Sequence, residues 1–149
     1  MDDFLLARVI HVLGVVLWIG GVAFVTTVLL PGMKKVATPG ERVIMFERME
    51  GGFAWQARLT TLVTGASGFY MLYVLDAWER YGDPAYWWLH AMSAIWLIFT
   101  VMLFVLEPLV LHKLFERRAR ANPEGTLAMI QRLHWVLLAA SLITVAGAV

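Results

Sequence analysis

Four stretches of the chain lack charged residues, and their lengths predict the architecture. They cover residues 9–33, 59–75, 84–106 and 133–149. A helix needs about 20 apolar residues, within a range of roughly 17 to 25, to cross the hydrocarbon core of a bilayer. The first and third stretches are ample, and the second and fourth lie at the lower limit. The pattern predicts four transmembrane helices, at approximately 4–31, 54–76, 84–120 and 123–149.

The segment "TPGE" (38–41) has the pattern of a capping box with proline at the first helical position. It predicts a short cytoplasmic helix over residues 39–50 that ends at the glycine pair 51–52. The side chains of this helix expected to lie in the membrane interface are Val43, Ile44 and Phe46.

Two further motifs, Asp83-Pro84 and Asn122-Pro123, predict the starts of the third and fourth membrane helices. Pro108 predicts a kink late in the third. Because the connections are short, we expect an all-α, up-down four-helix bundle that forms a single transmembrane domain over residues 1–149.

The charges predict how this bundle is oriented. The composition is 60% hydrophobic with a mean hydropathy of +0.72, and the net charge of +1 conceals an asymmetry. Ten of the twelve lysines and arginines flank helix ends on one side of the membrane, and only Arg8 and Arg80 lie on the other. The positive-inside bias then predicts a multi-pass protein of a bacterial-type inner (cytoplasmic) membrane with both termini outside. Basic residues in short loops beside membrane helices give no support to nucleic-acid binding, and without cysteines there are no thiolate ligands.

Two histidines lie within the apolar runs at similar predicted depth. His11 is about ten residues from the outer end of the first helix and His90 about six from Asp83, so their heights differ by roughly 6 Å at 1.5 Å per residue. Imidazoles from two facing helices can hold one iron from both sides. We therefore expect haem b, one per chain, with His11 and His90 as axial ligands.

Neighbouring residues suit such a site. Gly14 lies one turn from His11 and would let a flat macrocycle approach the backbone, and Trp18 continues the same face. Arg8 and Trp87 lie where haem propionates would meet water. The alternative is structural: an interhelical hydrogen bond from each histidine, close packing at small residues, and an interfacial tryptophan belt.

A second pair, His112 and His134, matches in height within about 3 Å. It is a tentative second metal or haem site, although His112 lies beside Lys113 at the membrane edge. Glu107 is either an interfacial carboxylate paired with an arginine such as Arg58 or Arg132, or a group that carries protons or contacts a quinone.

Three segments resemble known membrane families. "HVLGVVLWIGG" (11–21) is similar to the first helix of the HemJ-type protoporphyrinogen oxidases and of the related CopD-type copper-resistance membrane domains. "FERMEGGFAWQARLTTLVTGASGFYML" (46–72) and "WWLHAM" (87–92) resemble the HemJ-type second helix and the opening of its third. The resemblance implies a four-helix haem b protein in which His11 and His90 match the family histidines. Met92, however, stands where that family has a lysine.

The leading functional hypothesis is a small membrane cytochrome b that passes single electrons, for example between a quinol and an acceptor outside the cytoplasm. One alternative is a HemJ-type oxidase, which would be a haem-dependent membrane oxidoreductase. The other is a membrane protein without haem that either handles copper, as a CopD-like protein would, or is purely structural. The expected partners are the lipid bilayer and a quinone or redox protein, with a homodimer left open.

Overall fold

A computed structural model describes residues 3–36 and 38–149, and all regular elements among them are helical, which confirms the all-α expectation. The elements are α1 (Asp3–Phe24), a first π-helical segment (Val25–Leu29), α2 (Leu30–Val36), α3 (Pro39–Val74), two 3₁₀ turns (Trp78–Gly82 and Pro84–Tyr86), α4 (Trp87–Val101), a second π-helical segment (Met102–Leu111), α5 (His112–Ala121) and α6 (Pro123–Ala148).

By length and composition, three helical stretches of the described chain can span a membrane. They are Asp3–Lys35, Pro84–Leu109 and Pro123–Ala148, with mean hydropathies of 2.3, 2.2 and 1.5. The stretch predicted at 54–76 lies in α3 and does not reach this level. The reason is a row of hydroxyl side chains that α3 buries against its neighbours: Thr60, Thr61, Thr64 and Ser67.

The predicted break between an interfacial helix over 39–50 and a membrane helix from 54 is wrong, because α3 runs without interruption from Pro39 to Val74. Each glycine inside a helix costs only about 1 kcal/mol relative to alanine, and packing on both sides of the pair outweighs this cost. Val43 and Phe46, expected in the interface, are instead buried in an apolar cluster.

The helix starts agree with the sequence motifs. The Glu41 carboxylate accepts hydrogen bonds from the Thr38 hydroxyl at 2.7 Å and the Thr38 N–H at 2.8 Å, which lowers the pKa of Glu41. Asp83 and Asn122 each accept a backbone N–H at 2.8 Å from the residue two or three positions later. Side-chain oxygens thus satisfy N–H groups that have no partner within the helix.

Two clusters of buried apolar side chains fill the interior. One joins the middle of α1 to α3, α4, the second π-helical segment and α6, and comprises Trp18, Ile19, Val22, Ala57, Phe99, Leu103 and Leu138. The other joins the first π-helical segment and α2 to the start of α3, to α5 and to α6, and comprises Val25, Leu30, Met33, Val43, Phe46, Ala119, Leu127 and Ile130. The cytoplasmic helix predicted from the sequence is therefore part of the packed interior.

The first π-helical segment lies just before a proline, Pro31, which affects its hydrogen bonds. The N–H of Leu30 donates to the carbonyl of Val25, five residues earlier. The next residue, Pro31, has no N–H, so the carbonyl of Thr26 lacks the corresponding backbone donor. Gln131 of α6 replaces it, donating from Nε2 to the Thr26 carbonyl at 2.9 Å.

The second π-helical segment repeats this arrangement around Pro108, where the sequence predicts a kink. Five residues before the proline, the Leu103 carbonyl accepts a hydrogen bond from Arg58 Nε of α3 at 3.1 Å. The same guanidinium forms an ion pair with Glu107 at 2.7 Å. Of the two roles considered for Glu107, the structure supports the carboxylate paired with an arginine, and that arginine is Arg58.

We predict that Arg58→Met destabilises the protein by about 1–3 kcal/mol, because it leaves the Leu103 carbonyl and the Glu107 carboxylate without their donor. In a Pro108→Ala background the penalty should shrink, since an alanine N–H can donate within the helix. Unfolding in detergent, followed by circular dichroism, measures both values. Arg132→Met, at an exposed arginine of α6, is the control and should have little effect; equal penalties in the two backgrounds would contradict the proline argument.

Candidate functional site

A cavity of about 240 Å³ lies between α1, α3, α4 and α6. Its walls are mostly apolar and aromatic, and this character suits a flat, largely apolar ligand. Among the side chains that line it are His11, Trp18, Phe69, Met71, Met92 and Trp96.

Aromatic contacts close one end of the cavity. The rings of Trp18 on α1 and Phe99 on α4 meet edge to face, with centroids 4.9 Å apart, and both side chains are buried. Beside them, Trp96 donates its indole N–H to the Thr61 carbonyl of α3 at 2.9 Å. Gly65 makes this approach possible, because a Cβ at that position would overlap the Trp96 indole.

The other end of the cavity is formed by residues near helix ends. Phe4 comes from the start of α1, Leu75 follows α3, and Val145 lies near the end of α6. Arg80, in the turn before α4, also lines the cavity, and its guanidinium lies over the Tyr86 ring at 5.2 Å. A cation therefore stands at this end of an otherwise apolar cavity.

His11 faces the cavity with a defined tautomer. Its Nδ1 lies 2.9 Å from the Thr64 carbonyl and 3.3 Å from the Ser67 hydroxyl. A carbonyl only accepts, so Nδ1 carries the proton and Nε2 keeps the lone pair that binds metals. The ring fits against α3 because residue 68 is glycine, where a Cβ would stand 3.1 Å from His11 Cε1.

The structure does not bring His90 to the cavity with His11. The His90 side chain is exposed, and its ring makes an edge-to-face contact with Tyr81 at 5.3 Å. The reason is rotation about the α4 axis: His90 precedes the inward-facing Phe99 by nine residues, or about two and a half turns. It therefore points away from the face that carries Phe99.

The sequence predicts both Trp18 and Gly14 beside the cofactor, but only Trp18 lines the cavity. Trp18 lines the cavity, and its buried indole N–H has no hydrogen-bond partner among the described residues. Gly14 is covered by α3, since a Cβ on it would stand 2.5 Å from Thr64 Oγ1. The glycine therefore serves close helix packing and offers no surface to a macrocycle.

Arg8 and Trp87 also lie outside the cavity lining. The Arg8 guanidinium lies 5.9 Å from the centroid of the Phe4 ring, and the arginine is exposed. Trp87 packs against Gly147, where a Cβ would overlap its indole. Arg80, on the cavity wall, takes the position that the sequence argument gave to Arg8.

The tentative second site is only partly described. The half-buried His134 donates from Nδ1 to the Ile130 carbonyl of its own helix at 3.0 Å. His112 begins α5, but its side chain lies outside the described residues. Within the described part of the chain, no three histidine or acidic side chains come together as a metal site.

Sequence reasoning missed Met71, Met92 and Arg80 as cavity residues. Helical phase identifies Met92 only once Phe99 is known to face inward, because Met92 precedes Phe99 by seven residues, or about two turns, and so shares its face. Met71 lies three residues after Gly68, on the wall that supports His11.

No protein-family model matches the chain, and neither a curated protein nor a solved structure shows significant similarity to it.

We predict that Gly14→Ala lowers the free energy of unfolding by about 1–3 kcal/mol, because the added methyl group must separate α1 from Thr64. Gly20→Ala is the matched control on the same helix: outside the chain neighbours and the helix's own backbone, no described atom lies within 4 Å of a Cβ placed there, so this variant should be neutral or slightly stabilised. Thermal unfolding in detergent measures both. Equal stability of the two variants would show that α1 and α3 do not pack closely at Gly14.

Proposed function

We propose that α3 crosses the membrane together with the three more apolar stretches, completing a four-helix bundle. Its buried hydroxyl groups face other helices, so they do not have to enter lipid. The exposed side chains of its second half are mainly apolar and include Leu59, Leu62, Phe69 and Tyr70. A helix of this kind has low average hydropathy but presents a hydrocarbon-compatible surface.

The distribution of basic residues supports an orientation with both termini outside the cytoplasm, in a bacterial-type inner membrane. We predict that a reporter active only outside the cytoplasm works when fused after Val149. The same reporter fused after Ala121, at the end of the basic α5, should be inactive. The reverse pattern in this pair of fusions would overturn the topology.

We propose that the protein is a small membrane b-type cytochrome that passes single electrons, with haem in the cavity and His11 as an iron ligand. The observation that carries this proposal is His11 itself: its Nδ1–H is held by the Thr64 carbonyl, while the ring lines an apolar cavity. A carbonyl that accepts the N–H of one ring nitrogen, and so orients the other nitrogen toward a ligand site, is characteristic of metal-ligating imidazoles.

The residues of the cavity fit the group. Apolar and aromatic walls suit a macrocycle, and Arg80 can pair with a carboxylate at the open end. The volume of about 240 Å³ lies just below the range of roughly 300 to 1,000 Å³ typical of ligand sites, so part of a haem would extend beyond it.

When bound, haem supplies one-electron redox chemistry, and the chain determines its setting. Trp18 and Phe99 close the cavity toward the interior. An apolar environment raises the free energy of the charged forms of an enclosed haem. A quinol is a suitable electron donor because it is itself apolar and dissolves in the bilayer. The acceptor would lie outside the cytoplasm, beyond the end that carries Arg80.

We predict that the protein purified in detergent contains about one haem b per chain, or takes it up from added haemin. His11→Ala should lose the haem spectrum, because His11 is the one histidine among the described side chains that line the cavity. His90→Ala and His134→Ala are the matched controls and should keep it. A wild-type protein that binds no haem would refute the function, and a His11→Ala variant with full haem content would refute the ligand assignment.

One observation favours a second candidate, copper handling without haem. Among the described side chains, two thioethers and one imidazole line the same cavity, and soft sulfur ligands of this kind select Cu(I). Elemental analysis of the same preparations separates the two candidates, since one predicts iron and the other copper. A HemJ-type oxidase is less well supported, because Met92 has neither the charge nor the proton of the family's lysine.

A further inference from the structure

We infer that the Met92 thioether is the second axial ligand of the haem iron, opposite His11. This inference rests on the proposed haem function. It replaces the bis-histidine pairing predicted from the sequence with a histidine–methionine pair contributed by α1 and α4.

The positions of His11 and Met92 relative to the Trp18–Phe99 contact support this pair of ligands. Trp18 and Phe99 touch at the closed end of the cavity. His11 precedes Trp18 by seven residues and Met92 precedes Phe99 by seven, and both stretches are regular α-helix. Seven residues are about two turns and about 10 Å of rise. His11 and Met92 therefore lie equally far along their helices from the two touching rings, each on the face that carries its ring, and both line the cavity.

The side chains of His11 and Met92 come from different walls of the cavity. His11 packs against α3, through its hydrogen bond to the Thr64 carbonyl and its contact with Gly68. Met92 belongs to α4, which packs along α6, whereas α1 packs along α3. Beyond the Trp18–Phe99 contact, the cavity occupies the space between these walls, and a flat ligand there would have His11 on one face and Met92 on the other.

Other donors on the α4 side are already engaged. Ser93 donates to the Leu89 carbonyl at 2.8 Å and accepts from the Tyr81 hydroxyl at 2.7 Å. The bond to Leu89 uses the only hydroxyl proton of Ser93, and the bond from Tyr81 directs the phenol hydroxyl toward Ser93. Met71 lines the cavity from α3, the helix on which His11 leans. Of the thioethers, Met92 is the one on the opposite wall.

A thioether ligand has a functional consequence. Sulfur from methionine raises the reduction potential of a haem relative to a second imidazole, and it is neutral at every pH, so it costs little to bury in an apolar cavity. The long, flexible methionine side chain can also adjust to an inserted ligand. A raised potential suits a haem that accepts electrons from a membrane quinol.

The test compares Met92→Leu, which keeps the volume but removes the donor, with Met92→His, Met71→Leu and Met102→Leu. Met102 is a partly buried methionine of the second π-helical segment outside the cavity lining. Each protein is loaded with haemin in detergent. Haem content, the spin state from absorption and magnetic circular dichroism, and the midpoint potential are then measured.

We expect the wild type to be low-spin, with the red charge-transfer band of methionine-ligated ferric haem. Met92→Leu should retain haem but lose that band and become high-spin, Met92→His should be low-spin with a lower potential, and Met102→Leu should match the wild type. An unchanged spectrum in Met92→Leu, or loss of the band in Met71→Leu alone, would overturn the assignment and leave the haem function standing. A wild type that takes up no haem would overturn both.

Discussion

The polar contacts of α3 hold the other helices in place, and the cavity depends on them. In a bilayer, apolar side chains gain little by leaving lipid for another helix, so close packing and interhelical hydrogen bonds decide how helices associate. Carbonyls of α3 accept from His11 of α1 and from Trp96 of α4, and Arg58 of α3 donates to the second π-helical segment. Because α1 and α4 are both attached to α3, the space between them remains open.

The same requirement explains the two π-helical segments. Each contains or precedes a proline that removes one N–H, and an unpaired carbonyl costs several kcal/mol where water is absent. Gln131 and Arg58 each reach that carbonyl from another helix. Each proline thus leaves one carbonyl free within its own helix, and that carbonyl accepts a hydrogen bond from a neighbouring helix. Glu107 then neutralises the arginine, which would otherwise be an isolated cation beside apolar side chains.

Much of the fold was predictable because length and hydropathy are local properties of the chain. The apolar stretches of α1, α4 and α6 and the capping motifs at Thr38, Asp83 and Asn122 needed no knowledge of tertiary contacts. The break expected at residues 51–52 was wrong because tertiary packing decides it. Two glycines weaken a helix by an amount smaller than the gain from burying Val43 and Phe46 against other helices.

The site was harder to predict, because residue number gives the height of a side chain along a helix but not its direction. The sequence placed His11 and His90 at similar depth, and depth alone made them a pair. Direction requires a reference that is known to face inward, and on α4 that reference is Phe99, whose contact with Trp18 appears only in the folded chain. Counted back from Phe99, two turns lead to Met92, whereas half a turn more leads to His90. Height and direction together therefore favour Met92 over His90 as the proposed partner of His11 across the cavity.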